Sequence, residues 1–242
     1  MKKVLFVCLF ALFTVLSYAQ RPQGHISIIP KVGLDIANLS GNEIYYLNSQ
    51  NSSQQKSMKS KYNTRFAGGV DVEYQILPMS SISLGAFYSQ QGCRFPDCQM
   101  ATDKNTNVAE SHQLEGFEKY REKLDYIQVP LLFNQYVAEG LAVKVGVQMG
   151  FLTNAKVSYT LNQITLDKEG TVVSEVKTTS ETDIKKTLRT MDFTIPIGAS
   201  YEYQNVILDL RYNFGIKSIY KDEDMPNEKN NFLLFTVGYR LN

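Results

Sequence analysis

VILDLRYNFGIK, residues 206–217, alternates without a break. Val206, Leu208, Leu210, Tyr212, Phe214 and Ile216 share one side. Ile207, Asp209, Arg211, Asn213, Gly215 and Lys217 share the other. Successive side chains on a strand point to opposite faces, so this is a strand with one apolar and one largely polar face.

The pattern repeats outward from there. Residues 191–204 set Met191, Phe193, Ile195, Ile197, Ala199, Tyr201 and Tyr203 against Asp192, Thr194, Pro196, Gly198, Ser200, Glu202 and Gln204. Residues 141–151, 66–76 and 233–241 alternate in the same way, and residues 28–38, 81–91 and 125–136 do so more weakly. Eight strands are therefore expected. The connections between them run long, short, long, short, long, short, long. The short ones are 77–80, 138–140 and 204–205; the long ones span about 39–63, 92–124, 153–189 and 218–230.

A soluble sandwich also alternates, with its apolar face inward. Two features predict the inverse arrangement. The apolar faces run about ten residues, the ~9–11 that a tilted transmembrane strand needs. All long connections also fall at one end, as in outer-membrane barrels with short periplasmic turns and long external loops. The fold expected is all-β, an eight-stranded antiparallel transmembrane β-barrel with both termini periplasmic. Lys31, Asp35, Asp71, Glu73, Lys144, Asp192, Glu202, Asp209, Arg211 and Arg240 then line its lumen. A barrel of eight strands is just wide enough to be filled by such side chains. Tyr74, Tyr136, Tyr201, Tyr203 and Tyr239 are expected in one interfacial belt, and Phe66, Tyr88, Tyr126, Phe151 and Phe214 in the other. Pro130 and Pro196 fall inside strands, where bulges are the expected accommodation. Residues 156–179 alternate in part, which predicts a hairpin extending two strands beyond the membrane, with a ten-stranded barrel as the competing arrangement.

The N-terminus sets the compartment. Met1-Lys2-Lys3, an apolar run from Val4 to Leu16 and the small-residue box Ser17-Tyr18-Ala19 form a signal peptide over residues 1–19. The barrel then occupies residues 20–242. Processing removes Lys2 and Lys3 and leaves 23 basic against 24 acidic side chains, which gives nucleic-acid binding no electrostatic support. The two remaining cysteines, Cys93 and Cys98, are expected to form a disulfide in an oxidising compartment.

Candidate chemistry is sparse. Only His25 and His112 are present. Ser111, His112 and Glu115 sketch a triad, but adjacent Ser and His side chains rarely reach each other productively. Asp222-Glu223-Asp224 lacks the spacing of a calcium loop. The polar stretch 50–60 is expected to be a mobile loop. No phosphate loop, zinc signature or dinucleotide fingerprint occurs, and no catalytic residue, metal or cofactor is expected.

PKVGLDIANLSG at residues 30–41, YIQVPLLFNQY at 126–136, IPIGASYEY at 195–203 and LRYNFGIKSIY at 210–220 resemble strands of the PorT-like outer-membrane β-barrel family of Bacteroidetes. The resemblance covers nearly all of the chain after residue 20. It implies an eight-stranded outer-membrane barrel, and its namesake serves protein secretion. The partners expected are outer-membrane lipid and lipopolysaccharide, the barrel-assembly machinery during biogenesis, and a membrane-protein complex. A lipid-modifying enzyme and a narrow pore are the alternatives.

Overall fold

The structure is a computed structural model that describes residues 22–41, 43–48, 51–102, 112–167, 169, 171–222 and 227–241. The expected signal peptide lies outside the described residues. Twelve strands form among them: β1 (Ile26–Ser40), β2 (Glu43–Asn48), β3 (Asn51–Lys59), β4 (Lys61–Leu77), β5 (Ser80–Arg94), β6 (Cys98–Thr102), β7 (His112–Ala138), β8 (Leu141–Leu166), β9 (Val172–Asp183), β10 (Met191–Tyr203), β11 (Val206–Gly215) and β12 (Lys229–Tyr239).

Eight of them close a ring in the order β1, β4, β5, β7, β8, β10, β11, β12 and back to β1, every pair antiparallel. β6 adds to β7 and β9 adds to β8, both outside the ring. The barrel thus has eight strands, and the partly alternating segment 156–179 belongs to the hairpin of β8 and β9.

The ring is turned inside out relative to a water-soluble protein. On β11, Asp209 and Arg211 are fully buried, while Val206, Leu208, Leu210 and Phe214 are exposed. The same division holds on β1, β4, β8, β10 and β12, where exposed apolar residues cover the outer wall. Over nine residues of a strand tilted by about 40° this belt is roughly 25 Å tall, the height of an outer-membrane barrel's apolar band. Closure gives every central backbone group a neighbouring strand, which a wall without water requires.

Three tight turns join strands at one end, called here the turn end. Pro78-Met79 links β4 to β5, Glu139-Gly140 links β7 to β8, and Gln204-Asn205 links β10 to β11. Gln204 and Asn205 have φ of 46° and 70°, a left-handed pair whose twist matches the strands they join. Gly140, at φ 71°, has no room for a side chain, because a Cβ there would lie 2.2 Å from the Glu202 carbonyl.

At the opposite end, called the extension end, the expected long loops are largely strand. Residues 43–48 and 51–59 pair as β2 and β3, so most of the polar stretch read as a mobile loop is ladder. β7 and β8 continue as a pair from the barrel to His112 and Leu166. These segments lack the sustained apolar alternation that marks a buried face: Ile44-Tyr45-Tyr46-Leu47 is apolar at both parities, residues 51–57 are all polar, and β8 keeps strand propensity through Val157, Thr160 and Thr165.

Three other expectations change. Pro130 and Pro196 are accommodated without bulges. The β5–β7 ladder skips Gly85-Ala86 opposite Val129-Pro130, the β8–β10 ladder skips Gly146-Val147 opposite Ile195-Pro196, and each register resumes unshifted. Tyr126 and Tyr136 are not belt residues: both are buried in the interior. The even-numbered residues 122–136 of β7 face inward in one unbroken parity, the bulge beside Tyr126 lying at Thr153 on β8, and with apolar residues on both faces the sequence leaves that parity undetermined. Cys93 and Cys98 are buried thiols that are not bonded to each other. Cys93 pairs with Glu122 and Cys98 with Phe117, five positions apart on β7. That separation, roughly 15 Å along a strand, exceeds the reach of a disulfide.

Left-handed backbone costs an ordinary residue about 1 kcal/mol or more, and glycine very little. Gln204→Gly is therefore expected to raise unfolding stability by about 1 kcal/mol. Urea titration of the folded barrel in detergent reads this, and a loss of stability would contradict the turn geometry.

Candidate functional site

The inward residues separate into three groups along the barrel. The central one draws on four strands. Lys31 Nζ lies 2.7 Å from carboxylate oxygens of both Asp71 and Asp209. Lys144 Nζ is 2.5 Å from the same Asp209 oxygen. Arg211 Nε is 3.1 Å from the other, and its guanidinium lies over the Phe87 ring at 5.0 Å. Asp209 thus receives a cation from each of β1, β8 and β11. Gly85 makes space for Asp71: a Cβ there would sit 2.2 Å from Asp71 Oδ1.

Toward the extension end, neutral side chains link two more carboxylates. Asp35 accepts from Ser89, which accepts from Gln91 Nε2 at 2.6 Å. Gln91 Oε1 accepts from Asn230, whose Nδ2 also reaches Asp192 Oδ2 at 3.2 Å. At the turn end, Arg240 Nε donates to both oxygens of Glu202 at 3.1 Å, and Arg240 Nη2 to Glu73 at 3.3 Å. Tyr136 donates to Glu73 at 2.6 Å. This cluster floors an open pocket of about 340 Å³ that His25 and Ser27 also line.

The structure therefore places all ten sequence-predicted lumen charges on the inner side. Five meet in the central cluster, three at the turn end and two at the ends of the amide relay. Sequence reasoning missed Tyr136, Phe87, and the Arg65–Asp125 pair at 3.2 Å. Arg65 shares the inward parity of Ala67, Asp71 and Glu73, so alternation could have found it, whereas Asp125 shares the parity of the exposed Ile127 and Leu131 and could not be found that way. The central side chains are almost entirely buried, beyond the reach of bulk water.

Above the barrel, an apolar cluster that includes Leu39, Cys93, Phe95, Leu124, Tyr126, Leu188 and Ile219 closes the extension end. Two carboxylates are buried beside it, Glu122 on β7 and Glu228 just before β12. Burial, and then the neighbouring Glu122, push the Glu228 carboxyl up to about 8. Burial likewise raises the nearby Cys93 thiol and the Tyr120 and Tyr220 phenols. Farther out, β6, β7, β8 and β9 form a projecting sheet. One face carries Glu118, Asn162, Glu175 and Lys177 in a connected ladder, and a second ladder joins Lys123, Lys156 and Glu181. Phe95, Tyr120, Tyr159 and Phe117 pack ring against ring.

The sketched triad gains no geometry. Ser111 lies outside the described residues, His112 opens β7 opposite Leu166, and Glu115 accepts from Gln163 Nε2 at 2.9 Å. Glu223 and Asp224 also lie outside the described residues. Among the described residues no group of three or more His, Cys, Asp or Glu side chains is arranged to hold a metal ion.

A family model described as an outer membrane protein beta-barrel domain matches residues 18–221. The chain belongs to this outer-membrane β-barrel family. The match spans most of the ring and both strands of the projecting hairpin. No curated protein matches the chain significantly. Among solved structures it is similar to Ail, the attachment invasion locus protein of Yersinia pestis, at 11% identity over 91% of this chain and all of that one, TM-score 0.41. It is also similar to Neisserial surface protein A, at 14% identity over 89% and 97% of the two chains, TM-score 0.40. The outer membrane protease OmpT of Escherichia coli aligns at 9% identity over 94% and 100%, TM-score 0.28. Likenesses this distant carry no argument about activity.

Two predictions follow from the buried charges. Asp209→Asn leaves three cations around a neutral amide, and is expected to destabilise the barrel by about 3–5 kcal/mol. Urea unfolding in lipid vesicles measures this, and a neutral effect would mean the cluster is not held by that carboxylate. Glu228 titrates near 4.5 in an ordinary setting and about 8 when folded, so the folded chain holds its proton between those values. Stability contributed by this group is complete below pH 4.5 and declines as pH rises to about 8. Glu228→Gln should abolish that part of the decline, and parallel profiles for the two proteins would refute the assignment.

Proposed function

We propose that this protein is a non-enzymatic outer-membrane barrel that works through its projecting sheet, as a structural or accessory subunit of an envelope or secretion assembly. One observation carries the reading. β7 and β8 run well past the apolar belt and recruit β6 and β9 into an outer sheet, while the lumen below is packed with paired charge.

Strands that only need to be joined require a short turn. Here two strands of 27 and 26 residues leave the membrane together, far longer than the ~9–11 a crossing needs. Barrels of this class place short turns in the periplasm, so the extension end faces outward and both termini lie in the periplasm. The PorT-like resemblance of residues 30–41, 126–136, 195–203 and 210–220 supports the assembly role. A packed lumen supports a role other than conduction.

Two measurements test the reading. Planar bilayers containing the protein should show no steady conductance, and open-channel currents would favour a pore. Replacing residues 161–178 by a two-residue Asn-Gly turn shortens the hairpin between Thr160 and Thr179, which already pair. The barrel should still fold, as read by its heat-modifiable electrophoretic shift, while chemical cross-links to envelope partners in native membranes should be lost. Unchanged cross-links would place the working surface elsewhere.

A further inference from the structure

β9 is the last strand of the projecting sheet. It pairs with β8 along one side, and among the described residues no strand covers the other. Its sequence, VVSEVKTTSETD, has no proline, and past a bulge at Val173 near the tip, residues 174–183 pair with β8 without a break in register. Val172, Val173 and Val176 are 56%, 66% and 51% exposed. An uncovered strand of twelve residues offers a row of backbone donors and acceptors to any extended segment of matching pattern.

The strand matches itself. In an antiparallel pair with a two-fold axis through Val176, Val176 faces Val176 of the second copy. Glu175 faces Lys177 and Lys177 faces Glu175, on the face that already carries the charge ladder. Ser174 then faces Thr178, and the regular stretch ends at the Val173 bulge. Opposite charges and β-branched residues directly across are the favoured cross-strand pairs. Centring the axis one residue away, on Glu175 or Lys177, sets like charge on like charge, so the two adjacent registers are disfavoured.

We propose that β9 is a self-recognition edge, through which two copies of this chain in facing membranes join their outer sheets. The inference rests on the reading that the projecting sheet is the working surface and lies outside the cell. Facing membranes follow from strand direction. In every copy β9 runs from the tip of the hairpin back toward the barrel. Two copies in one bilayer hold their β9 strands in the same sense, and only copies pointing at each other bring them antiparallel. Val176 sits opposite Gln163, twelve residues beyond Phe151 on β8. At about 3.3 Å per residue and a tilt of about 40°, the pair forms roughly 30 Å above each apolar belt, bridging a gap of roughly 60 Å.

The test uses the full chain in phosphatidylcholine vesicles, with a chelator present so that divalent ions cannot bridge them. Light scattering reports clustering. Vesicles carrying the unaltered protein should cluster. Glu175→Lys vesicles and Lys177→Glu vesicles should each stay dispersed, because each faces its own charge. Mixing the two should restore clustering, as should the double swap Glu175→Lys with Lys177→Glu in one chain. Restoration by mixing shows that neither variant is misfolded. Dispersed vesicles of the unaltered, folded protein would overturn the proposal, and so would clustering indifferent to these charges. In either case, loss of partner cross-links on shortening the hairpin would leave the broader reading standing; cross-links that survive would remove that reading separately.

Discussion

Asp209 carries the interior of this barrel. Its carboxylate lies against Lys31, Lys144 and Arg211, and Lys31 passes the contact on to Asp71. Four strands of a ring of eight are tied at one level by these contacts. A barrel in a bilayer gains little from packing its outer wall, since lipid tails are as apolar as the wall itself. Register must then be fixed by backbone pairing and by what lies inside. Charges that would be costly alone become tolerable when neutralised, and their geometry leaves little freedom for a strand to slip.

The rest of the molecule is arranged around that interior. The amide relay from Asp35 to Asp192 and the Arg240 cluster with Glu73 and Glu202 close the lumen above and below it. The bore is filled by these side chains, and the two ends are where the chain departs from the ring. The turn end is short and tight. The extension end carries a sheet built on two strands that never separate after leaving the membrane. A paired extension is stiffer than a loop and holds its outermost strand at a defined height and orientation. That is the physical basis for reading the projecting sheet, rather than the bore, as the working part.

Much of this was legible in residues alone. The alternation in 206–217 and its repeats set the number of crossing strands, the inward placement of Asp209 and Arg211, and the pattern of long and short connections. What lay beyond the apolar belt was less legible. Segments 43–59 and 172–183 show no sustained period-two alternation, so nothing in their hydropathy distinguishes a strand from a loop. In β7, apolar residues occupy both parities, and only the pairing of β7 in the ring decides that Tyr126 and Tyr136 turn inward. Cys93 and Cys98 are close in sequence, yet pairing along β7 keeps them apart.

Sequence by itself determined that this chain forms a membrane barrel, because period-two alternation over about ten residues is dictated by strand geometry and by the bilayer. It determined which charges face inward, but not their partners. Partnership depends on how eight strands are staggered around a closed ring, which brings Lys31, Lys144 and Arg211 to one carboxylate from positions far apart in the chain. The exposed edge of β9 was likewise decided only in three dimensions. An edge is a property of a sheet, defined by which strand has no neighbour, and a single segment cannot record it.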